Sequence, residues 1–382
     1  MTARPSAGGA PAGDVAAALD RLADMPYDRA WSMPSAFYTD PAILALERER
    51  IFRREWICIG RREEIAVPGD HLAVEIGGEP VVVLQDLEGR IRAFSNVCRH
   101  RGALLVRGKG NGRRLACPYH AWSYDLDGRL AAAPRLPARP DFDPAGCRLP
   151  EFAAAEWLGF LFVCLDPEPP PLAPRLAGLE ANVRSYHLEQ AQLRYAAEEV
   201  WETNWKCFLE NYMEGYHLSP LHRDSLHKVN PTRLCRHFPP GEAYLGYRAG
   251  FSPELPRTQK GHPDLTDEEA GNCVMFAVPP GFAVGCAADY SSYICLQPEA
   301  VDRVRVKMGL IFFGPDWPDD TVSWAVELFR QTMAEDKAVL LDMTRGLRSR
   351  HHQAGPLAPA DFEGTILDLY RFMARRLGPL PG

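Results

Sequence analysis

The chain has no run of 18 consecutive apolar residues, so nothing in it reads as a membrane-spanning helix. It also lacks a surplus of basic residues. Its 43 Lys and Arg stand against 50 Asp and Glu, a net charge of -7 and the wrong sign for a surface that tracks nucleic acid. A Gly-rich strand-to-helix turn of the dinucleotide-binding kind is missing, so direct use of NAD(P)H by this chain is not expected. Internal repeats are absent, and low-complexity sequence is confined to Met1–Asp14 and to Pro167–Pro174. The first of these has no continuous apolar core, so it reads as a disordered tail and not as a signal peptide, leading into an N-terminal extension over residues 1–39. The second reads as a stiff linker.

What is present is a long chain of 382 residues with 46% hydrophobic content, enough for two packed domains. Ten cysteines without an export signal point to a reduced, cytoplasmic protein in which most thiols are buried small hydrophobes. Apolar spacing predicts a helix over Pro41–Trp56. Short β-rich runs follow at His71–Ile76, Pro80–Gln85, Arg90–Phe94 and Leu115–Leu130, separated by the turn pairs Gly77-Gly78, Glu88-Gly89 and Asp127-Gly128. Residues 40–165 are therefore expected to form a small, mostly β domain. Residues 166–382 read as α+β. A helix capped by Thr203 or Asn204 runs from Trp205 to about Tyr216, and strands follow at Ala243–Tyr247, Val274–Val278, Tyr293–Gln297 and Val304–Phe313. Two C-terminal helices cover Asp319–Arg348 and Phe362–Leu377.

Two constellations carry chemistry. The first is Cys98-x-His100, sixteen residues, then Cys117-x-x-His120. Two loops each offer one thiolate and one imidazole, the donor set of a [2Fe–2S] cluster with Cys on one iron and His on the other. A Cys2His2 zinc site uses the same ligand types, but zinc fingers pair Cys with Cys and His with His in sequence. Gly102 and Pro118 shape the two loops, and Trp122 can shield a cluster from water. Cys98-Arg-His100-Arg-Gly with Cys117-Pro-Tyr-His120-Ala-Trp resembles the Rieske motif of the non-haem iron oxygenase alpha subunits. The resemblance extends upstream through Trp56, Pro68-Gly69-Asp70 and Ala93-Phe94-Ser95-Asn96. It implies that Cys98 and Cys117 hold one iron, and His100 and His120 the other.

The second constellation is Glu214-Gly-Tyr-His217-Leu-Ser-Pro-Leu-His222. On a helix reaching Tyr216, Glu214 and His217 share one side, and Pro220 breaks the helix so that His222 folds back. Two imidazoles need one carboxylate to make the facial triad of a non-haem Fe(II) oxygenase. Glu214 is near in sequence. Asp336 is the other candidate, the lone acid in a stripe Phe329, Met333, Asp336, Leu340, Met343, Leu347 spaced by 4, 3, 4, 3 and 4, with Glu335 and Asp342 on other faces. His187, His227, His237, His262, His351 and His352 have no comparable context and read as surface or ordinary hydrogen-bonding residues, and Cys207 as a buried inert thiol.

This half resembles the catalytic domain of the same family, and the likeness spans residues 37–377. It implies a helix-grip (START-like) antiparallel sheet, a mononuclear iron on His217, His222 and Asp336, and O2 as co-substrate. It also implies electrons from a separate flavin- or ferredoxin-type reductase, and a head-to-tail homotrimer. In the family the acid at position 214 bridges to a Rieske His of the neighbouring chain. Most members have Asp there, whereas Glu214 is similar to the quaternary-ammonium oxygenases. The expected reaction is hydroxylation or oxidative demethylation of a quaternary ammonium compound held by Tyr212, Tyr216, Phe276, Phe282, Tyr290 and Tyr293 as an aromatic cage. Ring hydroxylation of an aromatic acid or arene is the alternative.

Overall fold

A computed structural model describes residues 12–254, 261–314 and 316–378. The chain divides into two compact units, Phe52–Leu172 and a larger one formed by residues 1–51 with Ala173–Gly382.

The smaller unit is built almost entirely of antiparallel strands: β1 (Ile57–Arg61), β2 (Asp70–Ile76), β3 (Glu79–Gln85), β4 (Ile91–Ser95), β5 (Lys109–Asn111), β6 (Arg114–Ala116), β7 (Ser123–Asp125), β8 (Leu130–Ala132), β9 (Glu151–Trp157) and β10 (Phe160–Cys164). Seven of them form one sheet in the order β1-β10-β9-β4-β3-β2-β5, and β6-β7-β8 form a second. The hairpin signals mark real turns. Gly77 and Gly78 join β2 to β3 with φ of 56° and 84°, a region that costs a residue without Cβ little. Gly128 turns between β7 and β8 at φ 86°, and an added Cβ would lie 2.7 Å from the Phe94 ring.

The larger unit carries a seven-stranded antiparallel sheet ordered β11-β17-β16-β15-β14-β13-β12. Its strands are β11 (Ala191–Trp201), β12 (Cys235–Phe238), β13 (Leu245–Gly250), β14 (Asn272–Val278), β15 (Phe282–Cys286), β16 (Tyr290–Ala300) and β17 (Arg303–Phe313). The long helix Asp319–Leu347 packs against this sheet and the helix Trp205–Tyr212, and the C-terminal helix Ala360–Leu377 lies against β12 and β13. No helix among the described residues is long and apolar enough to cross a membrane.

Several expectations need correcting. Residues 1–11 lie outside the described residues, but Ala12–Asp14 open a helix, Ala12–Ala23, that packs on the C-terminal helix. Leu19 and Leu22 are buried in this contact region, so the Ala-rich stretch has an apolar face after all. The helix expected over Pro41–Trp56 ends at Glu47 and passes through a wide turn, Arg48–Phe52. Pro41–Ile51 belongs with the larger unit, where Glu47 is fully buried and accepts from Lys206 Nζ at 2.6 Å and Trp205 Nε1 at 2.8 Å. Met343 is exposed and Thr344 takes its place facing inward, because 3.6 residues per turn drifts away from a strict 4-3 spacing over a long helix.

Candidate metal centres

In the smaller unit, Cys98 and Cys117 are buried in a core with Val82, Leu84, Phe94, Leu105 and Leu115, while His100 and His120 are exposed. Each cysteine sits in a tight loop. Cys98 N–H donates to the Ala103 carbonyl and Gly102 N–H to the Cys98 carbonyl, with Gly102 at φ 72°. Cys117 N–H donates to Trp122 O at 2.7 Å, and Ala121 N–H to Cys117 O at 3.1 Å. The rings of His100 and His120 stand 4.8 Å apart, and Trp122 stacks on His100 at 4.8 Å with a 7° tilt. Tyr124 Oη lies 3.4 Å from Cys98 Sγ and accepts from Arg99 N–H at 2.9 Å.

Among the described residues, sets of three or more His, Cys, Asp or Glu whose donor atoms all lie within 4.8 Å of one another number two, and neither includes these four. Donors to one tetrahedral zinc would stand roughly 3–4 Å apart. The wider spread suits a larger group, with thiolates on the buried side and imidazoles at the surface.

The larger unit builds its centre on a turn, where a helix was expected. The Asn204 side chain accepts from Lys206 N–H at 2.9 Å and starts the helix, which ends at Tyr212. Met213–Tyr216 then form a turn held from several sides. Gly215 N–H donates to Phe362 O, Tyr247 Oη donates to Glu214 O, and Thr365 Oγ1 donates to Met213 O. Pro220 does not break a helix: it lies inside a second, short one, Leu218–Leu221, which carries His222 at its end.

His217, His222 and Asp336 form one of the two close donor sets. Asp336 Oδ1 lies 3.2 Å from His222 Nε2 and 3.7 Å from His217 Nε2. Both outer ring nitrogens are taken up by carboxylates. Glu214 bonds His217 Nδ1, and Glu335 bonds His222 Nδ1 at 2.6 Å while also accepting from Ser225 Oγ at 2.6 Å. With Nδ1–H donated outward, each Nε2 presents a lone pair. His222 Nε2 and Asp336 Oδ1 are buried without hydrogen-bond partners, two acceptors facing each other. Such a pair is costly unless a cation lies between them, and this is the fit expected of a metal site.

Glu214 also accepts from the backbone N–H groups of Tyr216 and His217. Burial disfavours charge on His217, but the Glu214 carboxylate, its hydrogen bond and Asp336 outweigh it and raise the imidazole's pKa. Burial likewise opposes the charge on Glu335, yet its bonds to Ser225, His222 and Gln331 hold its carboxyl below the ordinary value. Glu335 was missed by the sequence because neighbours on a helix point about 100° apart. Nothing in the chain signalled that His222 would insert between the two.

The triad opens into a cavity of about 130 Å3 between the sheet and the long helix. Tyr212, Tyr247, Phe251, Tyr290 and Phe329 supply aromatic walls, and none of the described lining residues is Lys or Arg. Of the six aromatics expected there, Tyr212 and Tyr290 are present, and Tyr212 Oη lies 2.7 Å from Ser292 Oγ. Phe276, Phe282 and Tyr293 are not. Met275, Gly285 and Ser292 line the cavity, so Phe276, Phe282 and Tyr293, each an odd number of positions away along the same strand, point to the opposite face of the sheet. Phe276 and Phe282 pack edge to face there at 6.1 Å. Tyr216 is 54% exposed and stacks on Phe362. Tyr247 and Phe251 were missed.

Residues 55–152 match the Rieske [2Fe-2S] domain, and residues 181–378 match the ring-hydroxylating alpha subunit catalytic domain. The carnitine monooxygenase oxygenase subunit of Acinetobacter baumannii is 31% identical over 85% of this chain and 88% of its own length. The glycine betaine monooxygenase oxygenase subunit of Chromohalobacter salexigens is 39% identical over 56% of this chain and 49% of its own. A solved quaternary ammonium Rieske monooxygenase superposes with a TM-score of 0.81 at 25% identity, covering 92% of this chain and 96% of that one. The naphthalene 1,2-dioxygenase of Rhodococcus sp. shares the fold, with a TM-score of 0.77 at 20% identity over 95% of this chain and 98% of that one. With both domain families in order and a relative matched over most of both lengths, the chain belongs to the Rieske non-haem iron oxygenases, as an alpha (oxygenase) subunit.

Proposed function

We propose that this oxygenase subunit hydroxylates or oxidatively demethylates a small quaternary ammonium compound, using electrons that a separate flavin- or ferredoxin-type reductase draws from NAD(P)H. The cavity beside the triad carries the reading. A trimethylammonium cation is attracted to aromatic faces, which Tyr212, Tyr247, Phe251, Tyr290 and Phe329 offer. The relatives named for carnitine and glycine betaine support the same choice.

His217, His222 and Asp336 would hold the mononuclear iron; Cys98 and Cys117 would hold one iron of the cluster, His100 and His120 the other. Fe(II) in a two-His, one-carboxylate site keeps positions open for O2, and the cluster supplies electrons to it. The chain's own part is orientation. Glu214 and Glu335 fix the tautomers of the two imidazoles, and the apolar lining excludes water from the triad's open side.

We further assign Glu214 a bridging role toward the exposed His-bearing loops of a neighbouring copy in a homotrimer. The solved quaternary ammonium relative, which uses inter-subunit electron transfer, supports this assembly. None of the ten cysteines is paired in a disulfide, which supports a cytoplasmic location.

The test is a substrate panel with a surrogate reductase and product mass spectrometry. Trimethylammonium compounds should give products one oxygen heavier or lacking a methyl group. Turnover of aromatic acids with none of the ammonium compounds would reverse the assignment.

A further inference from the structure

Glycine inside a strand weakens it and packs nothing, so each one needs a physical reason. Gly246 in β13 and Gly309 in β17 have a structural one. A Cβ there would stand 2.6 Å from the Met275 carbonyl oxygen and 2.7 Å from that of Tyr195, respectively. Gly285, inside β15, is different. Its φ is ordinary, so no left-handed backbone calls for glycine, and no backbone atom is among the three nearest to its missing Cβ. Those three are Met275 Sδ at 2.8 Å, Ser292 Oγ at 3.1 Å and Cys273 Sγ at 3.4 Å.

Gly285 and all three of these neighbours line the cavity beside the triad. Met275 on β14 and Ser292 on β16 are the direct cross-strand partners of Gly285. They form one row across the sheet, with a gap between two side chains, and the gap opens toward the cavity. Both ends of the row are tied to other walls. Ser292 Oγ lies 2.7 Å from Tyr212 Oη, and Cys273 Sγ lies 3.7 Å from Met275 Sδ. A side chain at position 285 would press the Met275 thioether aside and strain the Tyr212–Ser292 bond. In a cavity of about 130 Å3, either movement removes room that a ligand would use.

We propose that Gly285 is a specificity-determining residue, whose missing side chain forms the seat for the branched head group of the substrate, with Met275 and Ser292 as its rims. The inference rests on the reading of this cavity as a quaternary ammonium site. A trimethylammonium head has no hydrogen-bond donor, so shape must place it. A bare stretch of strand lets such a head approach closely, and the flexible, polarizable Met275 thioether closes around it. One methyl group more or less in an apolar pocket changes affinity by about 10–200-fold.

The experiment is calorimetric titration of the iron-loaded protein with three probes. These are a trimethylammonium alcohol, its dimethylamine analogue with one methyl fewer, and the neutral tert-butyl isostere in which carbon replaces nitrogen. Gly285→Ala should weaken binding of the trimethylammonium and tert-butyl probes about tenfold or more, and of the dimethylamine probe by about threefold at most. Adding Met275→Ala to Gly285→Ala should restore most of the lost affinity, since the shorter side chain frees the space that the new methyl takes. Met275→Ala alone should admit a triethylammonium probe that the native protein excludes, and it carries the test where Gly285→Ala does not fold. Iron analysis and the cluster's visible spectrum check that each variant is loaded. Equal weakening of the trimethylammonium and dimethylamine probes, unchanged affinity in Gly285→Ala, or exclusion of triethylammonium by Met275→Ala would each overturn the proposal. So would failure of both branched probes to bind the native protein. Equal native affinity for the trimethylammonium and tert-butyl probes would overturn the ammonium reading alone, with head size still deciding the role of Gly285.

Discussion

At the scale of single residues, the proposed iron site of His217, His222 and Asp336 depends on carboxylates that bond the outer ring nitrogens of its two imidazoles. Glu335 bonds His222 Nδ1 at 2.6 Å and keeps Nε2 aimed at Asp336. Substitution Glu335→Gln replaces an ionised acceptor by a neutral one. We expect retention of the mononuclear iron to weaken about 10–100-fold, measured by iron analysis after dialysis, with the cluster's visible spectrum unchanged. Glu214 bonds His217 Nδ1 and also accepts two backbone N–H groups, so its part in electron transfer is tested in Glu214→Gln with both metal centres reloaded and checked by iron analysis. Single-turnover mixing with O2 should then show cluster oxidation slowed or separated from product formation. Normal turnover would remove Glu214 from the electron path.

At the scale of elements, the helix Trp205–Tyr212 is the lever that places the turn before His217. Asn204 starts it and makes three bonds, accepting from Lys206 N–H and donating Nδ2–H to the carbonyls of Tyr38 and Val301. Removing a cap costs about 1 kcal/mol, and leaving buried carbonyls unpaired adds to that. Asn204→Ala should therefore destabilise the protein by about 2 kcal/mol or more in urea unfolding. The elements were well marked in the sequence where the pattern was local. Hairpin turns, the Asn204 cap and both C-terminal helices could be read from turn residues and apolar spacing. β11 and β15 could not, because their alternation is blurred: β15 is buried at every position, and β11 is exposed or half-exposed at all but its two ends.

At the scale of the whole molecule, a buried polar network joins the start of the larger unit to its end. Tyr38 Oη donates to Glu210 at 2.9 Å and lies 3.3 Å from Tyr370 Oη, while Lys206 and Glu47 pair beside them with no exposure. Burial pushes the Glu210 carboxyl up to about 8, against the opposing effects of Tyr38 and Lys206. Since the folded value is raised above the ordinary 4.5, the folded chain holds this proton after the unfolded chain has released it. The stabilisation is full below pH 4.5 and is lost as pH rises through about 8. Unfolding midpoints from pH 5 to 8 should decline more steeply for the native protein than for Glu210→Gln, whose amide does not titrate. Parallel curves would exclude this linkage.

The sequence alone marked the Cys-x-His, Cys-x-x-His and Glu-x-x-His constellations, their order and the family they resemble, because such spacings survive whatever the surrounding fold does. It also marked Asp336, since one acid in an apolar helical stripe is a local anomaly. The tertiary structure decided what depends on long-range juxtaposition. It placed Glu335 on His222 across 113 residues. It chose which parity of β14, β15 and β16 faces the cavity, turning Phe276, Phe282 and Tyr293 away and bringing Tyr247 and Phe251 in. A one-residue change of parity reverses every side chain on a strand, and strands buried on both faces carry no alternation to reveal it.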